Sequence, residues 1–207
     1  MRYVAAALAV LLAGCAGSGP PKEPSAWTPT AACVSHPAEL APTPLRMQAG
    51  VLSFRGEFRD LAACVQSADV PEPVVLFLLE DSPLPAEIDL SLIESRGLVM
   101  AARVELLDAE FRVLQMHRFD EFAMRSGRFT RRLFVNSEDS AARYLLLRPD
   151  PEAQGRDLQH ISGQRVATVW MAGGWMGGYA DGREVRTHLA LRDAGAIGLE
   201  LRASAAP

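Results

Sequence analysis

The chain has 207 residues, 49% of them apolar and 22% charged, and its 21 Lys and Arg against 25 Asp and Glu leave a net charge of −4. These numbers fit one packed domain, leave too little chain for two comfortable cores, and exclude wholesale disorder. A mildly acidic chain is a poor nucleic-acid binder, because phosphate neutralisation supplies most of that affinity, so no nucleic-acid partner is expected.

The first element is Met1-Arg2-Tyr3, an apolar stretch Val4 to Leu12, then Ala13-Gly14-Cys15. A positive start, a short apolar core and small residues before a cut site predict a secretory signal over residues 1–14. The apolar run is about half of the ~20 residues a membrane-spanning helix needs. Leu12-Ala13-Gly14-Cys15 also resembles the bacterial lipobox. That resemblance implies cleavage before Cys15, acylation of its thiol and attachment through buried acyl chains. An ordinary cleaved signal with a chance cysteine is the alternative. Ala16 stands where inner-membrane retention would want Asp, so similarity to the sorting pattern implies the outer membrane, facing the periplasm. Residues 15–30, rich in Pro, Gly and small polar residues, read as a tether. Residues 31–207 read as a single domain.

Cys33 and Cys64 are the remaining thiols. An even number in an exported chain favours a disulfide, which would stabilise by roughly 3 kcal/mol in the chain-entropy picture. A reactive or metal-binding pair, or two free buried cysteines, are the alternatives. No Cys-x-x-Cys spacing occurs, although His36 follows Cys33 by three residues.

Pro44 to Asp60 is ambiguous between helix and strand. Val74 to Leu79, after Pro71 and Pro73, reads as a strand buried on both faces. Leu98 to Leu107 reads as one long strand, turning at Asp108-Ala109-Glu110 into a partner over Phe111 to Phe119. Arg128 to Val135, Tyr144 to Leu147 and Val166 to Met171 follow as strands. Ser137 can cap a helical turn through Glu138 to Arg143. Glu184 to Leu191 and Ala196 to Arg202 alternate with period two, joined by a turn at Arg192-Asp193-Ala194-Gly195. Many short strands with few helix signals predict an all-β domain, an antiparallel β-sandwich or jelly roll with one or two short helical turns.

Several segments carry a further resemblance: Glu39-Leu40 after the cysteine, Phe54-Arg55-Gly56-Glu57-Phe58, Ala102-Arg103-Val104-Glu105-Leu106-Leu107-Asp108, and Ala142-Arg143-Tyr144-Leu145-Leu146-Leu147. In this order, after a lipoprotein-like signal, they look like the maltose operon periplasmic protein family and related envelope lipoproteins. Arg148-Pro149-Asp150 replaces the Thr-rich exit of that pattern. The resemblance implies a periplasmic β-sandwich and carries over no catalytic residue.

The most unusual segment is Gly173-Gly174-Trp175-Met176-Gly177-Gly178-Tyr179. Trp170, Trp175 and Tyr179 offer flat faces suited to stacking sugar rings, and the bland reading is a flexible hairpin connection with its aromatics folded down as a lid. It lacks the Gly-Lys-Ser/Thr ending of a phosphate loop. His36, His117, His160 and His188 form no zinc spacing, so no metal or other cofactor is expected. His188 falls on the polar face of a strand. Ser126-Gly127 and Ser162-Gly163 read as turns rather than nucleophile elbows. Arg125, Arg128, Arg131 and Arg132, followed closely by Glu138 and Asp139, read as a solvated strand face, with a nucleic-acid site as the alternative. The expectation is a non-catalytic lipoprotein, held to the membrane by lipid, that binds an envelope glycan or protein through Trp170, Trp175 and Tyr179. An envelope hydrolase using carboxylates or His188, and a structural subunit of a membrane complex, are the alternatives.

Overall fold

The structure, a computed structural model, describes residues 27–48, 50–68, 70–79, 85–136, 141–172 and 175–203, and for 160–187 the backbone alone. Cys15, the signal, the tether before residue 27 and the Ser137 cap lie outside the described residues.

Two antiparallel sheets form a β-sandwich. The strands are β1 (Arg46–Gln48), β2 (Val51–Glu57), β3 (Ala63–Ser67), β4 (Val70–Leu78), β5 (Ala86–Ile93), β6 (Leu98–Met100), β7 (Ala102–Leu107), β8 (Val113–His117), β9 (Ala123–Arg125), β10 (Arg128–Val135), β11 (Tyr144–Pro149), β12 (Asp157–Ala172), β13 (Trp175–Arg192) and β14 (Ala196–Ala203). One sheet has the order β1-β2-β14-β5-β10-β9, the other β3-β4-β11-β7-β8, and β12-β13-β6 form a third, smaller unit. Helical structure among the described residues is three short turns, at Pro37–Glu39, Phe58–Leu61 and Phe119–Glu121.

The core lies between the six- and five-stranded sheets. Ile88, Leu90 and Leu92 of β5 and Leu199 of β14 meet Val75 and Phe77 of β4 and Leu145 and Leu147 of β11, all fully or nearly fully buried. Each such side chain contributes about 1.5–3 kcal/mol by leaving water. The even positions of β4 and β11 are also buried: Val74, Leu76 and Leu146 pack with Val34, Leu40, Phe111 and Tyr144 on the outer face of the five-stranded sheet. Val74 to Leu78 is therefore a strand buried on both sides, as its unbroken apolar run predicts. Pro71 and Pro73 sit in the half of β4 that pairs with β3 but not with β11, where an amide is not needed on the second side.

That outer face is covered by the lead-in to the domain. Cys33 and Cys64 are joined as a disulfide. The Val34 amide donates to the Cys64 carbonyl at 3.0 Å and the Gln66 amide to the Val34 carbonyl at 2.8 Å. His36 meets the Phe111 ring edge-on at 5.8 Å, and Phe111 stacks on Tyr144 at 4.5 Å. The turn at Pro37–Glu39 is capped reciprocally: His36 Nδ1 accepts from the Ala38 amide, and Glu39 accepts from the His36 amide and the Ser35 hydroxyl. The Ser35 hydroxyl is the main cause that holds the Glu39 carboxyl below its ordinary range.

Several sequence expectations require correction. The run Leu98 to Leu107 is two strands. Ala101 breaks it, its amide donating to the Arg192 carbonyl and its own carbonyl accepting from the Asp150 amide. β6 then pairs in parallel with β13, while β7 joins the five-stranded sheet. Both halves are buried, so periodicity does not mark the change of partner. The partner strand begins at Val113 and ends at His117, not Phe111 to Phe119. The buried Asp108 carboxylate accepts from the Glu110 and Arg112 amides and the Arg112 guanidinium, which extends the loop and holds Phe111 at φ +61°. Burial alone would raise the Asp108 carboxyl. The Arg112 amide and guanidinium and the Glu110 amide together hold it below its ordinary value.

Pro44 to Asp60 contains the β1–β2 hairpin followed by the start of one helical turn. The final ribbon is longer than its periodic parts. Val166 to Met171 and Glu184 to Leu191 belong to the extended β12 and β13, paired from Asp157↔Ala190 to Ala172↔Trp175. Ser162 and Gly163 are ladder positions in that ribbon, opposite Val185 and Glu184, rather than a turn. Ser126-Gly127 is the two-residue turn expected, with φ of +49° and +77°.

Candidate functional site: a trough across the six-stranded sheet

The outward side of the six-stranded sheet is polar because its strands alternate. In β5, Ala86, Ile88, Leu90 and Leu92 face the core, leaving Glu87, Asp89, Ser91 and Ile93 outside. The register aligns Arg55, Gly198, Ser91, Thr130 and Ala123 in one row across β2, β14, β5, β10 and β9. Four of these five are small, so the row sinks below its neighbours. Gly198 lowers it most: a Cβ there would reach ordinary contact with Ile93, Ser91 and the Phe54 carbonyl, at 3.7–3.9 Å. The result is a trough of about 1200 Å³ running across the strands. Thr43 and Pro44 border one end, and Glu121, Ala123 and Arg125 the other. The Thr43 end is fixed where its amide donates to the Leu76 carbonyl at 2.6 Å.

One wall is an ion-pair lattice. Arg132 reaches Asp89 through two hydrogen bonds, at 2.8 and 3.2 Å, and Glu87 at 2.8 Å. Asp89 and Glu87 raise the Arg132 pKa, the hydrogen bond to Asp89 being the largest cause. Arg202 pairs with Glu200 and lies 3.6 Å from Asp89. Glu200 and Asp89 are directly cross-strand. Arg46, Arg55, Arg125 and Arg128 also line the trough, and among the described residues none has a carboxylate within ion-pair distance.

Arg131 departs from the solvated face read for Arg125, Arg128 and Arg132. It pairs with Leu90, on the core side of β10, and its side chain is 31% exposed. Arg131 Nη2 lies 3.0 Å from both Glu121 Oε2 and His117 Nδ1, and His117 Nδ1 lies 2.9 Å from the same oxygen. This cluster ties β8 of one sheet to β10 of the other. The hydrogen bond with His117 is the main cause that holds the Glu121 carboxyl below its ordinary range, helped by the Arg118 amide and the Arg131 charge, against burial that would raise it.

The aromatic segment is not a loop: Trp175 to Tyr179 belong to β13. The pairs Thr168↔Tyr179, Trp170↔Gly177 and Ala172↔Trp175 put Trp170, Trp175 and Tyr179 at register positions of one ribbon face. Their side chains lie outside the described residues, and the trough is built from other strands. His188 is exposed, as its phase predicts. Among the described residues no group of three or more His, Cys, Asp or Glu could hold a metal ion, and no helix is long and apolar enough to cross a membrane. The trough residues escape a sequence reading that leaves Ala86 to Ile93 unassigned, although the alternation in Ala-Glu-Ile-Asp-Leu-Ser-Leu-Ile is the signal that would have found Asp89 and Ser91. The chain matches no family model, no curated protein and no solved structure.

Proposed function

We propose that the protein is a lipid-anchored envelope lipoprotein of the periplasmic face of the outer membrane, and that its sandwich holds an oligosaccharide in the trough without transforming it. The trough is the observation that carries the binding half: an open, elongated, polar channel with a small-residue floor suits an extended chain lying across the strands. Polar side chains fix orientation in such sites, while the floor admits the ligand closely. The anchor half is supported by Leu12-Ala13-Gly14-Cys15 and by a disulfide, which persists in an oxidising compartment. The aromatic face of the ribbon remains a second contact proposed for the glycan.

Calorimetric titration of the full-length chain with maltodextrins and peptidoglycan fragments tests the binding half, with Gly198→Trp as the variant that fills the floor. Binding lost in the variant supports the reading. Binding that survives it, or no heat with any glycan at millimolar concentration, overturns it. Mass analysis of the first mature residue, with Cys15→Ser as control, tests the anchor.

A second reading, hydrolysis, is favoured by the direct cross-strand placement of Asp89 and Glu200 inside the trough. A carboxylate pair on either side of a bound chain is the arrangement glycoside hydrolysis uses. Both carboxylates are engaged by Arg132 or Arg202, which suits structure better than proton transfer. Chromatography of glycans after incubation separates the two: cleavage products that vanish in Asp89→Asn and Glu200→Gln would replace the binding reading with this one.

A further inference from the structure

We infer that the ligand of the trough is acidic, a glycan carrying carboxylate groups, received at the Arg125–Arg128 pair and at Arg55. This deepens the binding reading and rests on it. Among the described residues seven arginines and three carboxylates line the trough, although the chain as a whole is net acidic. The carboxylates are already matched: Asp89 and Glu200 by Arg132 and Arg202, and Glu121 by Arg131. The surplus positive charge belongs to Arg46, Arg55, Arg125 and Arg128.

Two of these are placed against their own interest. Arg125 and Arg128 are directly opposite across the Ser126-Gly127 turn, and both are exposed. Like charges facing each other on adjacent strands destabilise a hairpin. An anion seated between them converts that repulsion into two charge-assisted contacts, and the planar guanidinium fork matches a carboxylate two bonds at a time. Arg55 stands at the β2 end of the small-residue row, three strand spacings from β10, and Arg128 lies two residues beyond the row on β10, so their backbones are roughly 16 Å apart at ~4.8 Å per strand and ~3.4 Å per residue. Between these cations the floor offers the Ser91 hydroxyl, the Thr130 hydroxyl, which also donates to the Ala123 carbonyl at 3.3 Å, and the bare backbone of Gly198. The layout is an uncharged polar bed with cations at its two ends, which fits a chain bearing acid groups at intervals.

The test uses the full-length chain and three probes in calorimetry: hexameric oligogalacturonate, maltohexaose and a single-stranded oligonucleotide of similar length. The expected result is binding of oligogalacturonate that weakens as salt rises from about 50 to about 300 mM. Arg125→Gln with Arg128→Gln should lower its affinity at least about tenfold, and Gly198→Trp should abolish it. The double variant should melt no lower than the parent, since it removes a repulsion, so lost binding is not lost folding. Maltohexaose bound equally well, insensitive to the arginine variants but lost in Gly198→Trp, would overturn the acidic assignment and leave the trough as a glycan site. Oligonucleotide bound more tightly than oligogalacturonate would overturn the assignment to a glycan. Binding untouched by Gly198→Trp, or no binding of any probe, would overturn this inference and the parent reading together.

Discussion

Replacing both bridge cysteines by alanine, Cys33→Ala with Cys64→Ala, removes the covalent tie between the lead-in and the sheets. The bond closes a loop with a sequence separation of 31 residues. In the chain-entropy treatment a loop of that size is worth about 3.7 kcal/mol. For a domain of this size each kcal/mol moves the thermal midpoint by about 2–4 °C, so the variant should melt about 7–15 °C below the parent. Alanine is chosen because Cys64 is buried and serine would strand a hydroxyl there. Calorimetric or circular-dichroism melts should place the double variant and the parent in excess dithiothreitol within a few degrees of each other, both below the oxidised parent. Hydrogen exchange should show the loss first at Val34 and Gln66, whose amide hydrogen bonds fasten the lead-in to β3. A drop smaller than about 3 °C, with Val34 and Gln66 still protected, would refute the claim that the bridge holds the lead-in over the outer face.

Gly195→Ala should destabilise by roughly 1–3 kcal/mol in urea unfolding, because Gly195 adopts φ +135° and a Cβ would lie 2.9 Å from the Met100 amide nitrogen. Arg96→Asn should stabilise by roughly 0.5–1 kcal/mol by the same assay, since exposed Arg96 holds φ +55° in a two-residue turn with Gly97 that suits Asn-Gly. Glu121 has a folded pKa below its model-peptide value of 4.5, so its stabilising contribution is complete above 4.5 and is lost as pH falls below that value through the folded pKa. Urea midpoints at about pH 7, 4.5 and 3 should therefore fall less steeply for Glu121→Gln than for the parent; equal slopes would count against the His117–Glu121–Arg131 tie.

The parts legible in the sequence are those where one side of a strand faces water and the other faces the core. β14 alternates Ile197, Leu199 and Leu201 with Gly198, Glu200 and Arg202, and the structure keeps that phase. Val74 to Leu78 is legible for the opposite reason, its unbroken apolar run matching burial on both sides. The break at Ala101 is not legible, because fully buried residues on either side of it carry no period. The aromatic segment misleads as a loop because its glycines signal a turn, whereas pairing from Asp157↔Ala190 to Ala172↔Trp175 extends the strands through Gly177 and Gly178. The trough is hidden for a different reason. Its floor joins residues as distant as Arg55 and Gly198, and only the insertion of β14 between β2 and β5 makes them neighbours. Local periodicity assigns each residue a side of its strand, but strand order decides which outward residues become adjacent.

The lead-in crosses the sandwich on the side opposite the trough, and this fixes how the molecule responds to being pulled. Tension on the chain upstream of Cys33 enters through a sulfur–sulfur link into β3 and is spent along the margin of the five-stranded sheet. The loop closed by that link contains β1 and β2, so a pull on this end cannot draw out those two strands of the far sheet, with Arg46 and Arg55, as extended chain.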